Sequence, residues 1–214
     1  MDIAEFLAIL QDPSADDDTI CEAAQELLSR HSVQAIPVLW ERLETREDRP
    51  WVIAELITSL GGLVMLSGGD HPAFNRFLLG LLQADDVEDG VKNASVTALG
   101  IVEASDALEL VASRLDSKTI DGDDSSVFVC LLTIGRLTQG RAEYVGKLAE
   151  YLNHGDVFIS RTAAEALGIV GPAARDVLPE LEMMAETGEY AERKAAELAI
   201  SKIKGASAQT STPP

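Results

Sequence analysis

Apolar residues recur along this chain at the three- and four-residue spacing of an amphipathic helix, and the pattern itself recurs. An Ala-rich phrase closing in Leu-Gly or a near copy ends at Leu60-Gly61 ("AELITSLG"), Leu99-Gly100 ("NASVTALG"), Ile134-Gly135 ("FVCLLTIG") and Leu167-Gly168 ("RTAAEALG"). Weaker copies sit at Leu27 in "CEAAQELL" and Ala199 in "RKAAELAI". With 27, 60, 99, 134, 167 and 199 as anchors, the spacings are 33, 39, 35, 33 and 32 residues. A period in that range predicts a solenoid, in which each unit buries its apolar face only by stacking on its neighbours.

Each unit reads as a helix A followed by a helix B that ends near the anchor. The expected pairs are 2–11 and 19–31, 34–44 and 50–66, 72–83 and 90–103, 105–115 and 125–138, 141–152 and 157–170, 173–187 and 190–204. Leu108, Val111 and Leu115, like Val177, Leu178, Leu181 and Met184, mark the buried side of an A helix. Pro37, Pro72 and Pro172 fall near A-helix starts, where a missing N–H costs little. Gly61, Gly100, Gly135 and Gly168 are expected to let neighbouring backbones approach. The long spacing after Leu60 predicts a B helix prolonged by one or two turns, then a loop at 67–71. Residues 116–126, "DSKTIDGDDSS", read as a polar loop. The stretch 205–214 lacks apolar periodicity and is expected to be disordered, leaving 1–204 as one repeat array.

These phrases resemble the short HEAT-like repeats of bacteria, the type named after phycobilisome lyases: an Asp-rich turn, a basic residue, "xxAAxALGxIG" and a leucine-rich helix. "ISRTAAEALGIVGPAARDVLPELEMM" (159–184) matches best, followed by "VKNASVTALGIVEASDALELVASRL" (91–115). The resemblance covers about 3–204 and speaks to fold. It implies an all-α protein, a right-handed α-solenoid (armadillo-type α-α superhelix) of about six helix pairs. Repeats 1, 4 and 6 depart from the pattern at Leu28, at the apolar run 128–132 and at Ala199.

The composition narrows the partners. Lys and Arg number 17 against 36 Asp and Glu, a formal charge of −19. A nucleic-acid backbone or an anionic membrane needs basic contacts, so neither is expected, and a basic protein surface is favoured. Aromatics are only 5% of the chain, so Ala and Leu carry the packing. Cys21 and Cys130 lie three repeats apart with no CxxC pair, as expected for two buried thiols in a reducing compartment. The opening MDIAEFLAILQD has no basic segment before its apolar residues, so neither a signal peptide nor a span is expected there. The cytoplasm is the expected location, and a monomer the expected state.

The anchors also phase the charge. The window 14 to 9 residues before each anchor falls in the A-to-B turn. These windows hold Asp16, Asp17, Asp18; Glu47, Asp48; Asp85, Asp86, Glu88, Asp89; Asp121, Asp123, Asp124; Asp156; and Glu186, Glu189. That is 15 of the 36 acids in about a sixth of the chain, opposed only by Arg46 and Arg49. One acid per turn is explained as a helix cap, worth roughly 0.5–1 kcal/mol. Three or four are not, which leaves solubility or a partner-binding edge.

A second candidate surface follows from helical geometry. Residues six and two before each anchor share one side of helix B. They read Cys21/Gln25, Ala54/Thr58, Asn93/Thr97, Phe128/Leu132, Arg161/Glu165 and Arg193/Glu197. Phe128 and Leu132 are core residues or groove anchors, and Arg161–Glu165 is a helix ion pair or part of a charged groove end. Trp51 beside Pro50 is either packed at a repeat edge or an exposed anchor.

Chemistry is sparse. His31, His71 and His154 have no second ligand at metal spacing. The His-Glu pairs of HEAT-like iron hydroxylases are missing, and Asp121-Gly-Asp-Asp lacks the alternation of a calcium loop. No nucleophile elbow, Walker A or dinucleotide motif occurs, and the Gly-rich segment 67–71 carries no Lys. No catalytic residue, cofactor or metal is expected. The leading expectation is a non-catalytic scaffold that binds a basic protein through its groove and acidic turns, as an inhibitor or immunity-type protein would. The alternative, implied only by the repeat type, is a bilin-lyase-like or chaperone subunit with an apolar groove.

Overall fold

The computed structural model describes residues 1–45, 48–69, 71–121 and 123–205, with the backbone alone for 119–121. The described residues are all-α: twelve α-helices, turns and short 3₁₀ segments, with no strand among them. Helices α1 (Ile3–Gln11), α2 (Asp17–Ser29), α3 (Ile36–Thr45), α4 (Pro50–Ser67), α5 (Pro72–Gln83) and α6 (Asp89–Ile101) lie in one compact unit, Met1–Ala104. Helices α7 (Leu108–Asp121), α8 (Asp124–Leu137), α9 (Val145–Ala149), α10 (Val157–Val170), α11 (Leu178–Thr187) and α12 (Tyr190–Gly205) lie in a second, Ser105–Pro214.

In the first unit each odd helix covers the even helix that follows it, and α4 packs on both α2 and α6. Leu27, Leu39, Leu56, Leu60, Leu78 and Leu99 are essentially inaccessible there. Each such burial contributes on the order of 1.5–3 kcal/mol before conformational entropy is counted. Trp40 adds an aromatic joint between α3 and α5, edge-on to Phe74 at 6.0 Å and to Phe77 at 5.3 Å. In the second unit α10 packs on both α8 and α12, while α7 covers α8, α9 covers α10 and α11 covers α12. The alanines of the α10 phrase, Ala163, Ala164 and Ala166, are fully buried, which is why small residues recur in it.

Three of the glycines after the anchors, Gly61, Gly135 and Gly168, sit at these helix contacts. A Cβ on Gly135 would stand 2.8 Å from the Ala166 carbonyl oxygen and 2.9 Å from its Cα. On Gly168 it would stand 3.0 Å from the Ala199 Cα, and on Gly61 3.1 Å from the Ala98 Cβ. The glycine after one anchor therefore meets the next anchor residue or the one before it. At Gly135, where the approach is to backbone, a side chain would push two helices apart.

The predicted pairs match the observed helices within a few residues, with three differences. The polar stretch predicted as a loop at 116–126 is helical through Asp121: α7 continues because nothing in "DSKTID" breaks a helix, and Lys118 stands 3.9 Å from Asp123. The A helix expected over 141–152 is short, because α9 begins only at Val145 and passes into a 3₁₀ turn at Glu150–Asn153. The A helices expected from 34, 105 and 173 open in 3₁₀ turns before α3, α7 and α11. The long B helix is present as the 18-residue α4, ended by Gly68 in the left-handed region at φ 65°, where glycine carries no Cβ penalty. By length and mean hydropathy of 1.5 this helix would also suit a membrane span. Its Val52, Leu56, Ile57, Leu60, Leu63 and Val64 are buried in the first unit's core. The 206–214 part of the stretch expected to be disordered lies outside the described residues, while Gly205 closes α12.

Candidate functional site

The turn acids divide by what they do. Asp16 caps α2: its carboxylate accepts the Thr19 amide at 3.0 Å and the Thr19 hydroxyl at 2.7 Å, which holds its pKa below the usual range. Asp156 caps α10 by accepting the Phe158 and Ile159 amides at 2.7 and 3.1 Å. Asp123 caps α8 by accepting the Ser126 hydroxyl at 2.6 Å and its amide at 3.2 Å, with the Ser125 hydroxyl at 2.8 Å. Those bonds, led by the Ser126 hydroxyl, hold the Asp123 carboxyl at about 2. At α12 a residue outside the window takes the part: Glu192 accepts the Glu189 amide at 2.7 Å and the Ser160 hydroxyl of α10 at 2.5 Å.

Asp48 is also occupied. It accepts two hydrogen bonds from Arg42, at 2.7 and 2.9 Å, in a pair with side chains only 11% and 10% exposed. Arg42 donates as well to the carbonyls of Leu10 (2.8 Å) and Asp12 (3.3 Å), riveting the end of α1 to α3. The pair lines an open cavity of about 450 Å³ with Leu10, Pro13, Val38 and Glu41.

The remaining acids face solvent. Asp85, Asp86, Glu88 and Asp89 are all exposed, and Glu88, although the N-cap of α6, makes no side-chain capping bond. Asp18, Asp124, Glu186 and Glu189 are exposed too, and Asp17 meets Arg49 at 3.2 Å. Asp121 is the last residue of α7 rather than part of the turn; its side chain, with Arg46 and Glu47, lies outside the described residues.

On the B helices, the positions six and two before the anchors are partly buried in four of six repeats: Ala54/Thr58, Asn93/Thr97, Phe128/Leu132 and Arg161/Glu165. Cys21 is instead buried, while Gln25, Arg193 and Glu197 are exposed. The Thr58 and Thr97 hydroxyls donate to the Ala54 and Asn93 carbonyls one turn back. Arg161 meets Glu165 at 3.0 Å, a half-exposed helix pair worth a few tenths of a kcal/mol. Of these positions Cys21, Gln25, Ala54, Thr58, Asn93 and Thr97 lie in the first unit, and Phe128, Leu132, Arg161, Glu165, Arg193 and Glu197 in the second.

Trp51 is 47% exposed. Two aromatics not singled out from the sequence are more so: Phe158 at 68% and Tyr190 at 71%. The signal was available, since all three stand nine residues before an anchor, in the first turn of a B helix. The Arg42–Asp48 rivet had no comparable signal, because it depends on where α1 ends in space.

The other reactive groups are held structurally. Cys21 and Cys130 are buried free thiols, pushed up to about 11 and about 12 chiefly by burial. His154 stacks on Tyr151 and its Nδ1 accepts the Asp156 amide at 3.1 Å; His71 contacts the Ser67 hydroxyl at 3.0 Å. His31 ends α2 with φ at 53°. Among the described residues no group of three or more His, Cys, Asp or Glu is placed to hold a metal.

No family model and no curated protein matches the chain. Among solved structures, it is similar to the crystal structure of an engineered protein, with a TM-score of 0.58 at 19% identity. The match covers 96% of this chain and 98% of that one. At that identity the likeness concerns the fold alone.

Proposed function

We propose that this protein is a non-catalytic helical-repeat scaffold that binds another protein through a basic surface on that partner, with helix pairs stacked as in a HEAT-like α-solenoid. Within each unit, successive B helices pack on one another, and glycines at one phase of the repeat make the close contacts. Both features support the stacking.

The observation that carries the binding reading is the turn between α5 and α6. Four carboxylates at 85, 86, 88 and 89 crowd it, all exposed, and the residue in capping position forms no side-chain cap. Capping accounts for Asp16, Asp123 and Asp156, but it does not account for Asp85, Asp86 or Glu88. Like charges so close repel one another, and a cationic surface relieves that repulsion while steering encounter. Asn93 and Thr97, on the partly buried side of the adjoining α6, offer polar contacts beside the turn. In the second unit, exposed Asp124 and half-buried Phe128, Leu132, Arg161 and Glu165 supply a mixed surface of the same kind. An inhibitor-like role, covering a basic site on the partner, requires only this chemistry.

The test is affinity capture from the native host with the wild-type chain and with Asp85→Asn/Asp86→Asn/Glu88→Gln, leaving the Asp123 cap intact. The expected result is a basic partner that is retained at low ionic strength, released near about 0.5 M salt as screening shortens the Debye length, and lost by the neutralised variant. Capture of the same partner at undiminished affinity by that variant would overturn the reading.

A further inference from the structure

The sixth and fifth repeats leave the same aromatic position uncovered. Phe158 is the second residue of α10 and Tyr190 the first of α12, and both stand nine residues before their anchors. The two helices run parallel and in phase. Near their starts the Ser160 hydroxyl donates to Glu192, seven before each anchor; near their ends Gly168 lies against Ala199. Parallel packing in phase puts the two aromatic positions on the same side of neighbouring helices, with their backbones about one interhelical distance apart, roughly 8–10 Å.

Large aromatics this exposed, at one repeated position, bury nothing in the fold that would account for them. Their surroundings specify what would cover them. Glu186 and Glu189 are exposed beside Tyr190. The cations one turn further on are already engaged: Arg161 with Glu165 at 3.0 Å, and Arg193 through a hydrogen bond to the Gly188 carbonyl at 3.1 Å. The Arg161 guanidinium also stands 6.0 Å from the Phe158 ring centre, so one face of that ring already takes a cation while the side chain stays mostly exposed.

We propose that Phe158 and Tyr190 form a two-ring seat for a Lys- or Arg-bearing segment of a protein partner. The ring faces take the aliphatic stems and the delocalised cation, and Glu186 and Glu189 take the charged ends. The inference rests on the protein-binding reading above and names the chemistry of the partner's contact. It is tested at residues other than those of the α5–α6 turn, so either can fail alone.

The probe is a fluorescein-labelled peptide of alternating Arg and Gly, titrated with the full chain and followed by anisotropy. Phe158→Ala/Tyr190→Ala should weaken binding tenfold or more, and Phe158→Leu/Tyr190→Leu should do the same because leucine has no ring face. A smaller loss in either ring variant, or no binding by the wild-type chain, would overturn the proposal. Both rings are solvent-facing, and unchanged circular dichroism of the variants confirms that the loss is local.

Discussion

The unit Met1–Ala104 carries 19 acidic residues against 6 basic ones, whereas Ser105–Pro214 carries 17 against 11. The two also use their acids differently. Both spend acids on helix starts, Asp16 in the first and Asp123, Asp156 and Glu192 in the second, but the first also gathers four exposed acids into the single α5–α6 turn. Packing differs in the same sense. Gly135 and Gly168 lie against the backbone of the next helix, whereas Gly61 lies closest to an alanine methyl and Gly62 to the flexible end of Leu28. One repeat phrase thus supports a tightly keyed stack in one unit. In the other it supports a softer stack with charge to spare.

The sharpest way to break this contrast is to add a methyl at equivalent glycines. Gly135→Ala should cost about 2–3 kcal/mol, because the new Cβ meets backbone atoms that cannot rotate away. Gly61→Ala should change stability by less than about 1 kcal/mol, since the helix-propensity gain over glycine offsets a side-chain contact. Urea unfolding of the two variants measures both, and equal costs would erase the distinction.

Next in size is the cap. Asp123→Ala should lower stability by about 1–2 kcal/mol at pH 7, against roughly 0.5 or less for the solvent-facing Asp86→Ala. The sign with pH follows from the depressed carboxyl of Asp123, at about 2 in the fold. Its stabilisation is complete above the unfolded value near ~3.9 and disappears as pH falls through the folded value. The difference between wild type and Asp123→Ala should therefore shrink between about pH 4 and pH 2.

Each unit holds one buried thiol, which makes a smaller comparison possible. Burial pushes both thiols up, Cys21 to about 11 and Cys130 to about 12, and Cys21 is 8% exposed where Cys130 is wholly covered. Alkylation at pH 8 followed by mass spectrometry should therefore label Cys21 faster than Cys130. Equal rates would mean that both thiols are reached through one shared opening of the chain.

The smallest effect concerns charge alone. Raising salt from about 0.05 to 0.5 M should slow hydrogen exchange in α5 and α6 more than in α10 and α12, by a few tenths of a kcal/mol, as screening relieves the α5–α6 cluster. Equal slowing in both units would remove the claim that the excess charge acts locally.

Much of the fold was legible in the residues. The Leu-Gly phrases located every B helix, and the lengthened spacing after Leu60 foretold the longer α4 and the loop that follows it. The capping roles of Asp16, Asp123 and Asp156 were readable as a type, one acid before each helix. Which acid would be left over was not, because Glu88 occupies the capping position without using it. The helical reach of α7 is not legible, because a polar run reads as a loop although a helix face turned to solvent is polar as well. Phe158 and Tyr190 were missed because aromatics at a helix start read as core until their exposure is measured.

The all-α class, the order of the helices and the phase of the charge are properties of the sequence, since periodicity and caps act within a few residues of one another. Whether a given glycine meets backbone or methyl, whether Arg42 reaches Asp48 and the end of α1, and which rings stay uncovered depend on the placement of helices distant in sequence. Those distances arise only when the helices pack, because the side chains involved share no local signal with their partners.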